Sequence, residues 1–414
     1  MLNSLSKSTR WDVQKIRKEF PGLEQVVHGN KQLVYLDNAA TTQKPQVVLD
    51  TLIDYYRYSN ANVHRAIHIL GDRATEALEE TRKAVQKFIN APEAEEIIFT
   101  SGTTASINLV ASSYGQRFIQ AGDEIIISHM EHHANLVPWQ MLCQSKGANL
   151  KVIPIHERGE LDMDAFERLL SSKTKLVAIT YVSNNLGTIN PIQEMIAKAH
   201  TMGAIVLTDA AQAVPHFSLD VQELDCDFLA FSAHKAYGPT GVGILYGKRA
   251  LLESMSPYQG GGEMIKEVTL SKSTYNDIPY KFEAGTPNIA NIIAFKAALK
   301  FIQDIGWDHI KKHEENLTKY TQKLIGQLDR FRLIGTAPDK VGIVSFVIDS
   351  MHHLDVGMLL DAQGIAVRTG YGCSQPLIQS LGLDGIIRVS LAMYNTVEEI
   401  DYLVGALTKL IHKN

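Results

Sequence analysis

The chain has 414 residues, 45 % apolar and 21 % charged, enough for a large core and more than one domain. Forty basic against forty-five acidic side chains leave a formal charge of −5, which argues against a broad nucleic-acid footprint or a polybasic membrane patch. No apolar run is long enough to span a bilayer, the first residues lack the apolar core of a secretion signal, and Cys143, Cys226 and Cys373 are too far apart for a disulfide scaffold, so a cytoplasmic protein is expected.

Along the chain, Leu2 to Phe20 reads as a helix, with Val13, Ile16 and Phe20 at helical spacing. Strands are expected at Ile97–Thr100, Glu124–Ser128, Lys151–Pro154, Leu176–Tyr181, Ile205–Asp209, Phe228–Ser232 and Gly243–Tyr246. Helices such as Thr104–Phe118, Met163–Leu170 and Gln193–Thr201 lie between them. This alternation predicts a doubly wound α/β domain, with its ligand site at the carboxyl ends of a largely parallel sheet. After Pro287 the pattern changes. Helices at Ile289–Ile305 and His309–Leu328 lead to short strands at Phe331–Ile334, Val341–Ile348, Ala366–Arg368 and Ile386–Val389, with helices near Asp355–Gln363 and at Val397–Ile411. The expected division is a large α/β domain at 31–290, with 1–30 and 291–414 forming a smaller α+β domain.

Lys235 closes the strand-like run ending Phe231-Ser232-Ala233-His234-Lys235, just before a Gly/Pro-rich turn. A desolvated ammonium there is costly, but a neutral amine poised to form a Schiff base with a carbonyl is not. Gly102-Thr103-Thr104 follows a strand and opens a helix, either as a phosphate cradle or as a plain N-cap. Asp209 ends a buried strand and could keep a heteroaromatic nitrogen protonated, cap a helix or bind a metal. His132, in Met130-Glu131-His132-His133-Ala134-Asn135, could stack on a planar ring with a carboxylate neighbour tuning it, while His133 reads as structural. Neither HExxH nor paired CxxC occurs, so no metal site is expected; the His64/His68 pair is discounted for the same reason. Cys373, in Arg368-Thr-Gly-Tyr371-Gly372-Cys373-Ser374-Gln375-Pro376, is bracketed by two glycines and a proline and flanked by Gly372 and Ser374, which favours exposure and reactivity. Arg368 and Arg388, at strand ends in the same region, could each clamp a carboxylate or serve in an ordinary salt bridge.

Together these segments resemble pyridoxal 5'-phosphate enzymes of the fold-type I aminotransferase superfamily (class V), and more narrowly the group II cysteine desulfurases of the SufS/CsdA type. The likeness runs from Tyr35-Leu36-Asp37-Asn38-Ala39-Ala40-Thr41-Thr42-Gln43-Lys44-Pro45 through Val63-His64-Arg65, Asp209–Gln212, Ser232–Gly241 and Phe282–Pro287 to Arg388–Thr396. It implies PLP fold type I: a large domain with a mostly parallel seven-stranded sheet and a smaller α+β domain carrying the Cys373 loop. It also implies that Lys235 carries the cofactor, Asp209 pairs with its ring nitrogen, His132 stacks on the ring and Gln212 reaches its phenolic oxygen with Asn184 nearby. Thr103, Thr104, Ser232 and His234 would hold the phosphate, joined by Thr286 from the other subunit of a homodimer. Arg388 would take the substrate carboxylate with Asn184 and Arg368, and Cys373 would accept sulfur from L-cysteine, with L-selenocysteine as a second candidate substrate. A SufE- or SufU-like acceptor and iron–sulfur cluster assembly follow from the same likeness. The alternatives are a selenocysteine lyase or cysteine sulfinate desulfinase, an aminotransferase in which Cys373 is idle, and a non-catalytic protein keeping the fold. Two departures stand out: Tyr371-Gly372 replaces a common His-His beside the nucleophile, and Ala105 replaces a common Glu. The first bears on loop mobility and thiol activation, and makes Tyr371 and His64 the bases to test.

Overall fold

The protein was analysed as a computed structural model that describes residues 11–65, 67–349 and 351–412. The first part of the expected helix at 2–20 lies outside the described residues; within them a helix runs over Val13–Arg17, capped by the Asp12 carboxylate on the Gln14 and Lys15 amides.

The central sheet contains seven strands, β1 (Ile97–Thr100), β2 (Glu124–Ser128), β3 (Asn149–Ile153), β4 (Thr174–Thr180), β5 (Ile205–Asp209), β6 (Phe228–Ser232) and β7 (Gly243–Gly247). Their order across the sheet is β1-β7-β6-β5-β4-β2-β3. Only β7 runs against its neighbours. These strands read as unbroken apolar runs because both faces are buried. Along β4, Leu176 and Ala178 join the core on one face while Val177 and Ile179 join the other, as a two-residue period requires. Gly243 opens β7 because a Cβ there would lie 2.4 Å from the Gly102 backbone. The turn after β1 can therefore pass close to the sheet.

A second sheet is antiparallel, β8 (Phe331–Ile334), β9 (Ile343–Ile348), β10 (Arg368–Gly370) and β11 (Ile386–Ser390), in the order β8-β9-β11-β10. Val344, Phe346, Ile387 and Val389 pack there against Val356, Leu360, Leu403 and Leu407 of two helices. The single strand expected at Ala366–Arg368 is split. Ile365–Ala366 pairs in parallel with Val34–Tyr35, and Arg368 begins β10 against Arg388. The chain at 34–37 is thereby wedged between Ala366 and Ser390, through Leu36 N–H to Ala366 O (2.9 Å) and Ser390 N–H to Leu36 O (2.8 Å). Val34 and Leu36 share the second sheet's core, whereas Ile16, Phe20 and Leu23 pack with residues of the central sheet. No helix among the described residues is long and apolar enough to cross a membrane.

Candidate active site

The carboxyl ends of β1, β4, β5 and β6 converge on a cavity of ≈ 300 Å³, closed on its far side by the second sheet. Lys235 enters it from a one-turn 3-10 helix, Ala233–Lys235, directly after β6. Burial pulls its amine down to about 8, against the charges of Asp209 and Cys373, which favour the ammonium, while Arg388 disfavours it. At that value about a fifth of the amine is neutral near physiological pH, far more than of an ordinary lysine, and the neutral form is the one a nucleophile needs.

At one end of the cavity, the Thr103–Val110 helix presents its N-terminus. Thr103 Oγ1 lies 2.6 Å from Ser232 Oγ, and Ser232 Oγ accepts the Thr103 N–H at 2.7 Å. With Thr104 and His234 on the same wall, hydroxyls, amides and a helix N-terminus face one volume, a pattern suited to a phosphate. Burial, then the charges of Lys235 and Lys44, bring the His234 imidazole down to about 4, so it is neutral.

Deeper in, Asp209 is buried, with one oxygen accepting the Ala211 N–H at 3.0 Å. Burial raises its pKa; the Ala211 bond and Lys235 oppose that rise. His132 is brought to about 3 by burial and by the charges of Lys235, His133 and Arg388. Its Nδ1 accepts the Ala134 N–H at 3.0 Å, which leaves the proton of the neutral ring on Nε2. Gln212 donates to Ala39 O at 2.6 Å, leaving its Oε1 buried with no hydrogen-bond partner among the described residues. The carboxylate expected to tune His132 is turned elsewhere. Glu131 takes the Ser128 hydroxyl (2.5 Å), the Asn135 amide (2.6 Å) and the Thr180 N–H (3.1 Å), and burial pushes it up to about 8.

The opposite wall holds the arginines. Arg388 is 3 % exposed, donating to Asn184 O at 2.9 Å and to Asp37 at 3.2 Å, while its Nε has no partner among the described residues. Arg368, half-exposed, forks onto both Asp37 oxygens at 3.3 and 2.7 Å. Cys373 also lines this cavity and is exposed; Cys143 and Cys226 are buried away from it. Its loop is tied to the central domain: Asn184 donates to Gly372 O (2.6 Å) and accepts from the Ser374 hydroxyl (2.9 Å), and Asn185 donates to Tyr371 O (2.8 Å).

A buried lysine, a buried carboxylate, a helix N-terminus and an exposed cysteine in one cavity define a recognisable architecture, and residues 34–403 match the model of the aminotransferase class-V family. The chain belongs to that family. A cysteine desulfurase of Synechococcus elongatus is 48 % identical over 97 % of this chain, and this chain spans 64 % of that relative's length. A cysteine desulfurase of Salmonella agona is 51 % identical over 96 % of this chain and 98 % of its own. The crystal structure of the Escherichia coli cysteine desulfurase CsdA, in an S-sulfonic acid form, superposes with a TM-score of 0.90 at 39 % identity, covering 98 % of this chain and 99 % of that one. The family's α/β fold with a mostly parallel seven-stranded sheet is the one described above.

Within this class-V site, Thr103, Thr104, His132, Asn184, Asp209, Gln212, Ser232, His234, Lys235, Arg368, Cys373 and Arg388 all line one cavity. His64 and Thr286 do not. His64 sits at a positive φ of 68°, its ring edge against Tyr280, and Thr286 is exposed outside the cavity. Tyr371 packs on the core and is not part of the wall. Sequence reasoning missed Asp37, the shared counter-ion of both arginines, although it stands inside a quoted motif. It also missed Lys44, whose amine donates to His234 O at 2.8 Å and is lowered to about 7 by burial alone. Lys44 stands in the polar run Thr41-Thr42-Gln43-Lys44-Pro45-Gln46, where nothing in the sequence marks its amine as buried.

Proposed function

We propose that the protein is a pyridoxal-phosphate-dependent cysteine desulfurase, converting L-cysteine and the Cys373 thiol into L-alanine and a Cys373 persulfide. The observation that carries this reading is that the exposed cysteine shares its cavity with Lys235, Asp209 and Arg388.

The residues present fit pyridoxal phosphate. The cradle of Thr103, Thr104, Ser232 and His234 would take the phosphate, and Asp209 would face the ring nitrogen, where a positive charge would relieve its buried carboxylate. His132 would lie against the ring, and the unpaired Gln212 Oε1 would meet the phenolic oxygen's proton. When bound, the cofactor supplies an electron sink for the pair released at the substrate Cα. Lys235 would anchor it and, as a neutral amine, would move the Cα proton. Arg388 orients the substrate carboxylate through its unpaired Nε, and Asp37 keeps the guanidinium charged and fixed in direction. Asn184 supports this indirectly, since its side chain is spent on the Cys373 loop and its carbonyl on Arg388.

Cys373 then attacks the substrate sulfur as a thiolate. The new S–S bond forms as the substrate C–S bond breaks, its electron pair stays with carbon, and protonation there yields alanine. A SufE- or SufU-like protein takes the persulfide sulfur onward to iron–sulfur cluster assembly. Residues 31–290 would serve mainly as the cofactor-binding unit and 291–414 as the unit bearing the cysteine, with Ile16, Phe20 and Leu23 packed on the former rather than the latter, and Val34 and Leu36 on the latter. A homodimer is supported by the exposure of Thr286 away from its own cavity and by the apolar side chains Ile67 and Leu270, 101 % and 111 % exposed. The test is Cys373→Ala, assayed for alanine and sulfide together with L-cysteine and a reductant, without a keto-acid acceptor. Retained cofactor absorbance with loss of both products is expected; full turnover would remove Cys373 from the reaction.

A further inference from the structure

We propose that His133 is the positioning residue of the Cys373 loop, holding the backbone at the cysteine carbonyl and just beyond it and so setting where its sulfur stands. The rate part of this proposal rests on the desulfurase reading above; the structural part does not.

The loop needs such a hold. Cys373 has a φ of 59°, in the left-handed region that a side chain disfavours, and it follows Gly372 at 54°. A residue keeps such a backbone only when its surroundings impose it. Asn184 and Asn185 secure the entering strand of the loop, at Gly372 O and Tyr371 O. His133 secures the cysteine itself and the exit. Its backbone N–H donates to Cys373 O at 2.7 Å, and its Nε2 accepts the Gln375 N–H at 3.1 Å.

Gln375 opens the helix Gln375–Ser380, whose N-cap, Ser374, makes no side-chain capping bond because its hydroxyl goes to Asn184. The imidazole therefore takes up a helix-terminal donor that no side-chain cap satisfies. Its own base is rigid. Asn135 N–H bonds His132 O (2.8 Å), Asn135 joins Glu131, and Trp139 Nε1 donates to Asn135 at 2.9 Å. One short turn thus presents His132 to the cavity and His133 to the sulfur loop. Tyr371 and Gly372 precede the cysteine on the loop itself, and the imidazole that reaches the loop comes from the turn after β2.

The test compares His133→Ala with His133→Gln in the holoprotein. The glutamine amide oxygen can accept the Gln375 N–H; alanine cannot, and both keep the main-chain bond. Three readouts are taken: hydrogen exchange at the Gln375 amide, the rate of Cys373 alkylation by iodoacetamide with buried Cys143 and Cys226 as internal references, and kcat and KM for cysteine beside the cofactor absorbance. His133→Ala should exchange about fivefold faster at Gln375, the equivalent of one neutral hydrogen bond. It should alkylate faster at Cys373 and lose about tenfold in kcat with KM little changed and the absorbance intact, as misplacement of a reacting atom predicts. His133→Gln should restore the exchange rate and most of kcat. Wild-type exchange and alkylation in His133→Ala, or loss of the cofactor band in both variants, would overturn the proposal. If Cys373 proves dispensable for turnover, exchange and alkylation still decide whether His133 holds the loop.

Discussion

At the cofactor end of the cavity each reactive side chain stands at or just beyond the end of a buried strand: Asp209 closes β5, Ser232 closes β6 and Lys235 follows within one turn. At the sulfur end the backbone leaves β10 at Gly370 and is then held by side chains from the turns after β2 and β4, His133, Asn184 and Asn185. The first end inherits its geometry from core packing, which tolerates little displacement. The second depends on a few hydrogen bonds, each worth about 1 kcal/mol. The anchor can thus stay rigid while the sulfur carrier can be released.

The comparison can be broken most decisively at the anchor. Lys235→Ala should abolish both cofactor retention after gel filtration and alanine formation; measurable turnover would remove the lysine from the mechanism. Arg388→Ala should raise KM for cysteine about a hundredfold, the loss of a buried charged partner, while leaving the cofactor band in place. At the sulfur end, Gly372→Ala places a Cβ 2.1 Å from Asn185 Oδ1 at a left-handed φ. Cysteine turnover should fall about tenfold with cofactor absorbance unchanged.

The smallest effect expected is one of pH. A carbonyl is captured only by the neutral amine, so cofactor uptake by the apoprotein should rise with pH and level off above about 8. The Asp209 charge favours the Lys235 ammonium, so Asp209→Asn should move that midpoint downward. Stopped-flow absorbance of pyridoxal phosphate uptake measures it; an upward shift would contradict the assigned charge coupling.

Much of the cofactor end was legible because it is local. An apolar run followed by Asp, Ser or Lys places that residue at a strand's end, and the alternation of strands and helices places all such ends on one edge. The sulfur end was legible only as a loop with an exposed cysteine. His133 looked structural because nothing in Glu131-His132-His133 distinguishes a ring aimed at the cavity from one aimed at Gln375. Asp37 was hidden similarly: its partners Arg368 and Arg388 lie more than three hundred residues away, and the parallel pairing of Val34–Tyr35 with Ile365–Ala366 brings them together. That pairing also explains why the predicted strand at 366–368 is two strands.

From its residues alone the chain determined its sheet, its strand-end lysine and carboxylate, and a cysteine in a glycine-rich loop, because period and turn chemistry are local properties. Only the tertiary structure decided what stands around that cysteine. Hydrogen bonds between distant segments have no period to read, and their direction follows from how the two sheets pack.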